Sequence, residues 1–137
     1  MVSIFISSNA TDTDVTVKLI DVYPRSESWP DGFHMNLADT ILRGRLRNGF
    51  EREEMMEPNH VYRFEIALTP VANRFVAGHR IRLDVASSNF PRFDVNPGTG
   101  EELGRHTFTR RTHNTLWAGS AYASHITLPV ASTAPTC

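Results

Sequence analysis

Hydrophobic and polar residues alternate most regularly directly after Gly78. Ile81, Leu83 and Val85 occupy odd positions, and the residues between them are charged. Because successive side chains of a β-strand point to opposite faces, this spacing places the apolar residues on one face and the charges on the other. The pattern predicts a strand over residues 79–88, in a sheet with one buried side.

A short motif ends this strand and predicts a turn. Pro91 has no N–H for a strand ladder, and the residue before a proline is confined to extended backbone. We expect Phe90 and Phe93 to close one end of the core, so that Phe90→Ala would cost about 3–5 kcal/mol. The isomer of the Phe90–Pro91 bond stays open. The whole motif consists of Asn89, Phe90, Pro91, Arg92, Phe93 and Asp94.

Similar patterns recur along the chain, separated by residues such as Pro24, Pro58 and Pro70 that end strands. Several short strands at this spacing predict an all-β fold, a two-sheet jelly-roll sandwich. A short helical turn is expected at residues 36–40, with Asn36 as its cap. The predicted strands cover residues 2–7, 15–23, 33–36, 41–47, 60–68, 79–88, 106–112 and 124–130.

Four of these segments carry an apolar face that we expect in the core between the two sheets. The sandwich is predicted to occupy residues 1–130, and the small, polar residues 131–137 to form a disordered tail. The predicted inward residues are Val15, Val17, Leu19, Tyr62, Phe64, Ile66, Leu68, Ile81, Leu83, Val85, Ile126, Leu128 and Val130.

Length and charge narrow the function classes. A chain of 137 residues is one domain by size. Its net charge of −1 provides no field that would attract nucleic acid or an anionic membrane, so neither is expected as a partner. The arginines are expected on the polar faces of the strands. Cys137 is the only cysteine and excludes an internal disulfide, and no segment resembles a signal peptide, which favours a cytoplasmic location.

The sequence offers weak candidates for catalysis or cofactor binding. Ser120 lacks the Gly-x-Ser-x-Gly setting of a hydrolase nucleophile and is interpreted as a turn residue. The six histidines lack the spacing of a metal site. Asp12 and Asp14 have the oxygen ligands that Ca²⁺ prefers, but a turn before a strand explains them better. Glycines over residues 98–104 fit a dinucleotide loop poorly, and the glutamates over residues 51–57 are expected in solvent. We therefore expect no cofactor and no metal.

Aromatic residues at turns are the remaining candidates for function. Trp29, Phe33, Trp117 and Tyr122 would either seal an interface with another domain or form a platform for a ligand. The interface is the favoured interpretation.

Several segments of the chain occur in the order of one known family. They are residues 12–14, 19–24, 36–39, 41–43, 57–58, 61–62, 77–84, 87–94, 96–100, 124–125 and 128–130. On these segments the chain resembles the C-terminal domain of the X-prolyl dipeptidyl-peptidase and cocaine-esterase family of serine hydrolases. The resemblance covers residues 1–130 and implies a galactose-binding-domain-like jelly roll.

This resemblance implies a non-catalytic role. In such enzymes the catalytic triad and oxyanion hole belong to an upstream α/β-hydrolase part, and the jelly roll packs beside it and helps to wall the substrate site. The chain is then expected to be inactive alone and to lack one or two N-terminal strands. A missing strand would leave a sheet edge that invites homo-oligomerisation.

The sequence departs from the family pattern near its end. Trp117-Ala118 and Tyr122-Ala123-Ser124 replace a Tyr-His pair and a His-Pro-Ser of the family. Two alternatives to an accessory domain stay open. One is an independent carbohydrate- or ligand-binding module, since jelly rolls also serve as lectin-like domains, and the other is a gene remnant without a function of its own.

Overall fold

The computed structural model describes residues 1–102 and 104–131, and within them it is built almost entirely from strands. The all-β prediction is confirmed. A single 3-10 turn, Gly44–Leu46, follows the third strand. The strands are β1 Val2–Ser8, β2 Asp14–Tyr23, β3 Phe33–Arg43, β4 Val61–Ile66, β5 Arg80–Ala86, β6 Asn114–Trp117 and β7 His125–Ile126.

These strands form two antiparallel sheets that face each other as a sandwich. In the first sheet β1 lies at the centre, with β4 on one side and both β6 and β7 on the other. In the second sheet β2 lies between β3 and β5. The two longest buried strand segments are therefore central, where both neighbours satisfy their backbone N–H and C=O groups.

The core lies between the central strands. Val2, Ile4 and Ile6 of β1 face Val15 and Val17 of β2. These residues occupy every second position of their strands, as expected when alternate side chains point into the core. Burying an aliphatic or phenyl side chain of this size contributes about 1.5–3 kcal/mol each. The other buried members of this core are Leu42, Met56, Phe64 and Ile66, with Tyr62, Leu68, Leu83 and Ile126 packed against them.

The helical turn predicted at residues 36–40 is wrong, because these residues belong to the middle of β3. β2 supplies pairing partners for Asn36 and for Ala38 to Thr40, which outweighs the local preference of Asn36 for a cap. The ladder shifts at one point, since Leu19 pairs with Ala38 and Ile20 with Asn36. Leu37 is the extra residue of this bulge.

Other strand predictions differ from the structure after residue 100. The strand predicted over residues 106–112 is absent from the described chain, while β6, which follows it, was not predicted. The last strand covers His125–Ile126 alone, and Val130, predicted to be inward, is exposed. The tail predicted at residues 131–137 lies outside the described residues apart from Ala131.

Met1 is held against Thr127 at the end of the first sheet. The Met1 amino group donates to the Thr127 carbonyl at 3.1 Å, and the Thr127 N–H donates to the Met1 carbonyl at 2.8 Å. Among the described residues, no helix has the length and hydrophobicity that a membrane crossing needs.

Candidate interface surfaces and the buried network that supports them

Two of the four predicted interface aromatics, Trp29 and Phe33, stack on each other at the end of the second sheet. Their ring centroids lie 4.5 Å apart with an angle of 20° between the planes. Phe33 also contacts Tyr23, its cross-strand partner, edge to face at 5.6 Å. Trp29 and Phe33 are both more than a third exposed. This first aromatic cluster, Trp29, Phe33 and Tyr23, therefore presents partly exposed apolar surface in which each ring packs against another.

The buried carboxylate of Asp21 lies beside this cluster and holds the residues that pack on it. Asp21 is buried, and its carboxylate lies 2.8 Å from Nδ1 of His79 and accepts a hydrogen bond from Asn73 at 3.1 Å. The His79 ring packs on Tyr23 with centroids 4.1 Å apart. Because a buried carboxylate needs such partners, His79 and Asn73 tie the loop before β5 to β2.

The other two predicted aromatics, Trp117 and Tyr122, form a second cluster on the outer face of the first sheet. Phe5 of β1 lies opposite Trp117 in the register, and Tyr122 packs on both at centroid distances of 5.4 and 5.5 Å. Trp117 donates from Nε1 to Ser7 Oγ at 2.9 Å. Ser124 bonds the Trp117 carbonyl at 2.6 Å and the Phe5 N–H at 3.0 Å. This second aromatic cluster is rigidly held and partly exposed.

The turn motif after β5 lies on the surface, so the prediction of Phe90 as a core residue is wrong. Phe90 is 70% exposed, Phe93 is half-buried, and the Phe90–Pro91 bond is cis. Polar contacts hold the motif instead. Asn89 and Arg92 both bond the Asp39 carboxylate, at 3.1 Å each. Pro91 and Asp94 are exposed.

A buried ion pair beneath the loops was not predicted. The Arg45 side chain is completely buried, and its Nε donates to Asp12 Oδ2 at 2.8 Å. Asp12 also accepts the Arg45 backbone N–H at 2.9 Å. The remaining guanidinium nitrogens reach Glu53 Oε2 at 3.2 Å and the Glu101 carbonyl at 3.0 Å. Arg45 thereby joins three separate loops at one end of the sandwich.

A second pair continues this network. Arg43 donates through Nε and a terminal nitrogen to both oxygens of Asp14, at 2.7 and 2.8 Å, and this carboxylate raises the pKa of Arg43. Asn96 bridges the two pairs, since its amide donates to Asp12 at 2.9 Å and to Asp14 at 2.8 Å. The two aspartates considered as Ca²⁺ ligands are thus already neutralised by guanidinium groups.

One side of the sandwich is open between β5 and β6. Ile81 is 52% exposed, Val85 36% and Leu116 48%, although each pairs with a residue of the inward face. The prediction that Ile81 and Val85 are buried is therefore wrong, and the reason is that no strand covers them in the described chain. A groove of about 240 Å³ is lined by Ile6, Asp14, Val15, Val85, Ala86, Ser87, Asn114 and Leu116.

The remaining candidates for chemistry are dispersed. Ser120 lies in an exposed bend after β6, and the 98–104 loop opens no helix in its described part. Within residues 1–102 and 104–131, no serine or threonine hydroxyl hydrogen-bonds to a histidine. The same residues contain no cluster of three metal-ligating side chains.

Comparisons with known proteins agree with this picture. Residues 1–127 match the family described as X-Pro dipeptidyl-peptidase C-terminal non-catalytic domain. The chain is 37% identical over 129 residues to cocaine esterase of Rhodococcus sp. (strain MB1 Bresler), a match that covers 93% of this chain and 21% of the esterase.

Solved structures show the same relation. An aminopeptidase from the marine sediment archaeon Thaumarchaeota archaeon superposes with a TM-score of 0.82 at 32% identity, covering 90% of this chain and 21% of the aminopeptidase. A selenomethionine-labelled alpha-amino acid ester hydrolase superposes with a TM-score of 0.76 at 32% identity, covering 85% and 20%. The chain spans about one fifth of the length of these relatives.

Proposed function

Because this chain belongs to the family of X-Pro dipeptidyl-peptidase C-terminal non-catalytic domains, we propose that it acts as the accessory β-sandwich of a serine hydrolase. It packs against an α/β-hydrolase catalytic part and forms one wall of the substrate site. The relatives are named an esterase, an aminopeptidase and an amino acid ester hydrolase. The substrate class proposed for the assembled enzyme is therefore an ester or a peptide with a free amino end, including X-prolyl peptides.

The observation that carries this proposal is the pair of aromatic clusters. In each cluster, contacts between the rings already orient them, so docking would cost little side-chain entropy. Aromatic residues in such positions dominate the energetics of protein interfaces. Trp117 supports this most directly, because its Nε1 is already satisfied by Ser7 and its ring remains partly exposed.

The contribution of the chain to the reaction is positional. The Arg45 network fixes the loops at one end, and Asp21 with His79 fixes the first aromatic cluster. A rigid wall of this kind excludes water and confines the substrate, which lets the catalytic part hold the reacting groups in place. No step of bond cleavage is assigned to a residue of this chain.

A chimera tests the proposal. The corresponding part of cocaine esterase is replaced by this chain, and hydrolysis of a nitrophenyl ester is measured together with thermal unfolding. We expect an active chimera in which Trp29→Ala and Tyr122→Ala each lower kcat/KM or Tm. Phe50→Ala, which removes an exposed ring outside both clusters, is the matched control and leaves both unchanged.

The chain alone provides the complementary measurement. It should turn over neither a nitrophenyl ester nor an X-Pro anilide, and diisopropyl fluorophosphate should not label it. Serine-specific labelling of the isolated chain would refute the proposal. So would a chimera that is inactive and whose Tm does not respond to the Trp29→Ala and Tyr122→Ala substitutions. Specific binding on a carbohydrate array would support an independent binding module instead.

A further inference from the structure

Asn48 is the only asparagine of the chain that precedes a glycine. The backbone nitrogen of the residue after an asparagine can attack the side-chain amide carbon, and glycine hinders this attack least because it has no Cβ. Asn48 and Gly49 lie in the turn after the 3-10 helix, and both are exposed. No heavy atom of the described residues lies within 4 Å of the place that a Cβ of Gly49 would occupy. The surroundings of Gly49 are therefore open as well.

We propose that Asn48 is a site of spontaneous deamidation, at which the side-chain amide is converted to aspartate and isoaspartate. The Gly49 nitrogen gives up its proton and bonds to Asn48 Cγ, while the side-chain nitrogen takes up a proton and leaves as ammonia. Water then opens the resulting succinimide ring at one or the other of its carbonyl carbons. Water is the only co-reactant, and no atom is oxidised or reduced.

Asn59 provides an internal reference for this reaction. The Gly49 N–H donates to the Leu46 carbonyl, and the His60 N–H after Asn59 donates to the Glu57 carbonyl, each at 3.1 Å. Asn59 and His60 are exposed too. Each attack therefore has to break an equivalent turn hydrogen bond in solvent. The side chain of the following residue, which is present in His60 and missing in Gly49, separates the two sites.

Deamidation at Asn48 would remove a hydrogen bond that closes the following loop. The Asn48 amide donates to Glu54 Oε2 at 2.7 Å. The Glu54 N–H donates to the Arg45 carbonyl at 2.7 Å, and the Glu54 carbonyl accepts a hydrogen bond from Arg47. Residues 49–53 thus form a loop whose ends are tied together by Asn48 and Glu54.

The product carries a negative charge where the donor was. Hydrogen bonds from Arg52 and then from Asn48 lower the pKa of Glu54, so Glu54 is ionised at neutral pH. A carboxylate at position 48 would lie beside this ionised group and repel it. The isoaspartate form also adds a methylene group to the main chain of the turn. Both products loosen the attachment of the loop to the 3-10 turn.

Incubation of the full chain at mildly alkaline pH tests the reaction. Peptide mapping by tandem mass spectrometry measures deamidation at each asparagine, and protein isoaspartyl methyltransferase measures the isoaspartate formed. We expect Asn48 to react about tenfold faster than Asn59, because only Asn48 precedes a residue without a Cβ. His60→Gly should bring the rate at Asn59 close to that at Asn48. Circular dichroism checks that this variant is folded.

The consequence for the loop has a separate measurement. An NMR titration of the Glu54 carboxyl carbon compares two variants with the parent chain. Asn48→Ala removes the donor, and Asn48→Asp removes the donor and adds the charge of the product. The pKa of Glu54 should rise in Asn48→Ala and rise further in Asn48→Asp.

Equal deamidation rates at Asn48 and Asn59 in the parent chain would overturn the proposal. So would a His60→Gly variant whose Asn59 reacts no faster than before. Equal values of the Glu54 pKa in all three chains would refute the assigned effect on the loop. The proposal does not depend on docking to a catalytic part, since Asn48 belongs to neither aromatic cluster.

Discussion

Arg45 shows how much a single residue holds together in this sandwich. Its guanidinium is the only group that contacts Asp12, Glu53 and the Glu101 carbonyl at once among the described hydrogen bonds. We expect Arg45→Met to lower the free energy of unfolding by about 3–5 kcal/mol, because Asp12 would remain buried without its counter-charge. Urea unfolding followed by circular dichroism provides the measurement.

Arg52 is the matched control for this substitution. It also pairs with a glutamate, at 2.7 Å, but its side chain is 80% exposed. Arg52→Met should change stability by less than about 0.5 kcal/mol, since exposed pairs contribute little. Equal effects at both positions would contradict the role assigned to the buried network.

Phe90 provides a second comparison at this scale. Phe90→Ala should cost less than about 1 kcal/mol, because the ring is already largely in solvent. Phe64→Ala, which empties a fully buried site in the core, should cost about 3–5 kcal/mol. Urea unfolding measures the loss of stability in both variants. A loss of about 3–5 kcal/mol for Phe90→Ala would show that Phe90 is a core residue after all.

The Glu101 carboxylate makes the stability of the fold depend on pH, in a direction that follows from its hydrogen bonds. The Thr107 hydroxyl donates to it at 2.8 Å and lowers the pKa of Glu101, with help from Thr99 and from the Thr107 backbone N–H. Because the folded pKa lies below the unfolded one, this carboxylate stabilises the fold above the ordinary glutamate pKa of about 4.3. The contribution is lost as the pH falls through the lower, folded value.

An NMR titration of the Glu101 carboxyl carbon checks this assignment. Thr107→Val should raise the pKa of Glu101 toward its ordinary value, whereas Thr107→Ser retains the hydroxyl and should keep it low. Identical titration curves for the two variants would show that the hydroxyl is not the cause.

The surroundings of individual residues are the feature that the sequence predicts least well. The arginines are predicted on solvent-facing surfaces, because a lone arginine gives no sign that an aspartate 33 positions earlier will be buried with it. Phe90 is predicted in the core, because size and hydrophobicity do not reveal whether a turn residue points inward. Both errors concern contacts between distant segments, which depend on the assembled fold.

The loop from Asn96 to Gly100 acts as a structural element although it contains no strand. Asn96 bridges two aspartates, and Arg110 donates its N–H to the Pro97 carbonyl at 2.8 Å. Gly98 lies buried at its centre with φ +70°, and a Cβ there would come within 2.6 Å of Thr112 Cγ2 and 3.2 Å of the Arg110 carbonyl.

We expect Gly98→Ala to cost about 1–3 kcal/mol more than Gly78→Ala in urea unfolding. Both glycines have positive φ and incur the same backbone strain, but Gly78 has only Pro24 within reach, at 3.9 Å. The difference therefore isolates the steric clash. Equal losses of stability in the two variants would mean that the loop moves to accommodate the added methyl group without a free-energy cost.

At the scale of elements, alternation located the central strands well. β1, β2 and β5 match their predicted positions to within two residues at each end. β3 was divided in two, because the sequence around Asn36 has local turn chemistry that pairing with β2 overrides. β6 was missed, since Asn114–Trp117 is too short and too exposed to alternate clearly.

At the scale of the whole molecule, the two-sheet architecture and the family were predictable, and the surfaces were predictable in part. The four aromatic residues were identified as interface candidates, but their division into two clusters follows from which strands carry them. The open side between β5 and β6 was predictable only in part. The alternation of Ile81, Leu83 and Val85 indicates which face of β5 is apolar, but it does not indicate whether another strand covers that face.

The reciprocal hydrogen bonds between Met1 and Thr127 have a topological consequence. Val2 already pairs with Ile126, so peptide linkage of the C-terminal residues to Met1 would turn β7 and β1 into consecutive strands of one hairpin. We expect a circular permutant that is opened between Gly119 and Ser120, in an exposed bend, to retain the circular dichroism spectrum and most of the stability of the parent. Met1 and Thr127 already lie within hydrogen-bond distance, so the new hairpin needs no rearrangement of the first sheet.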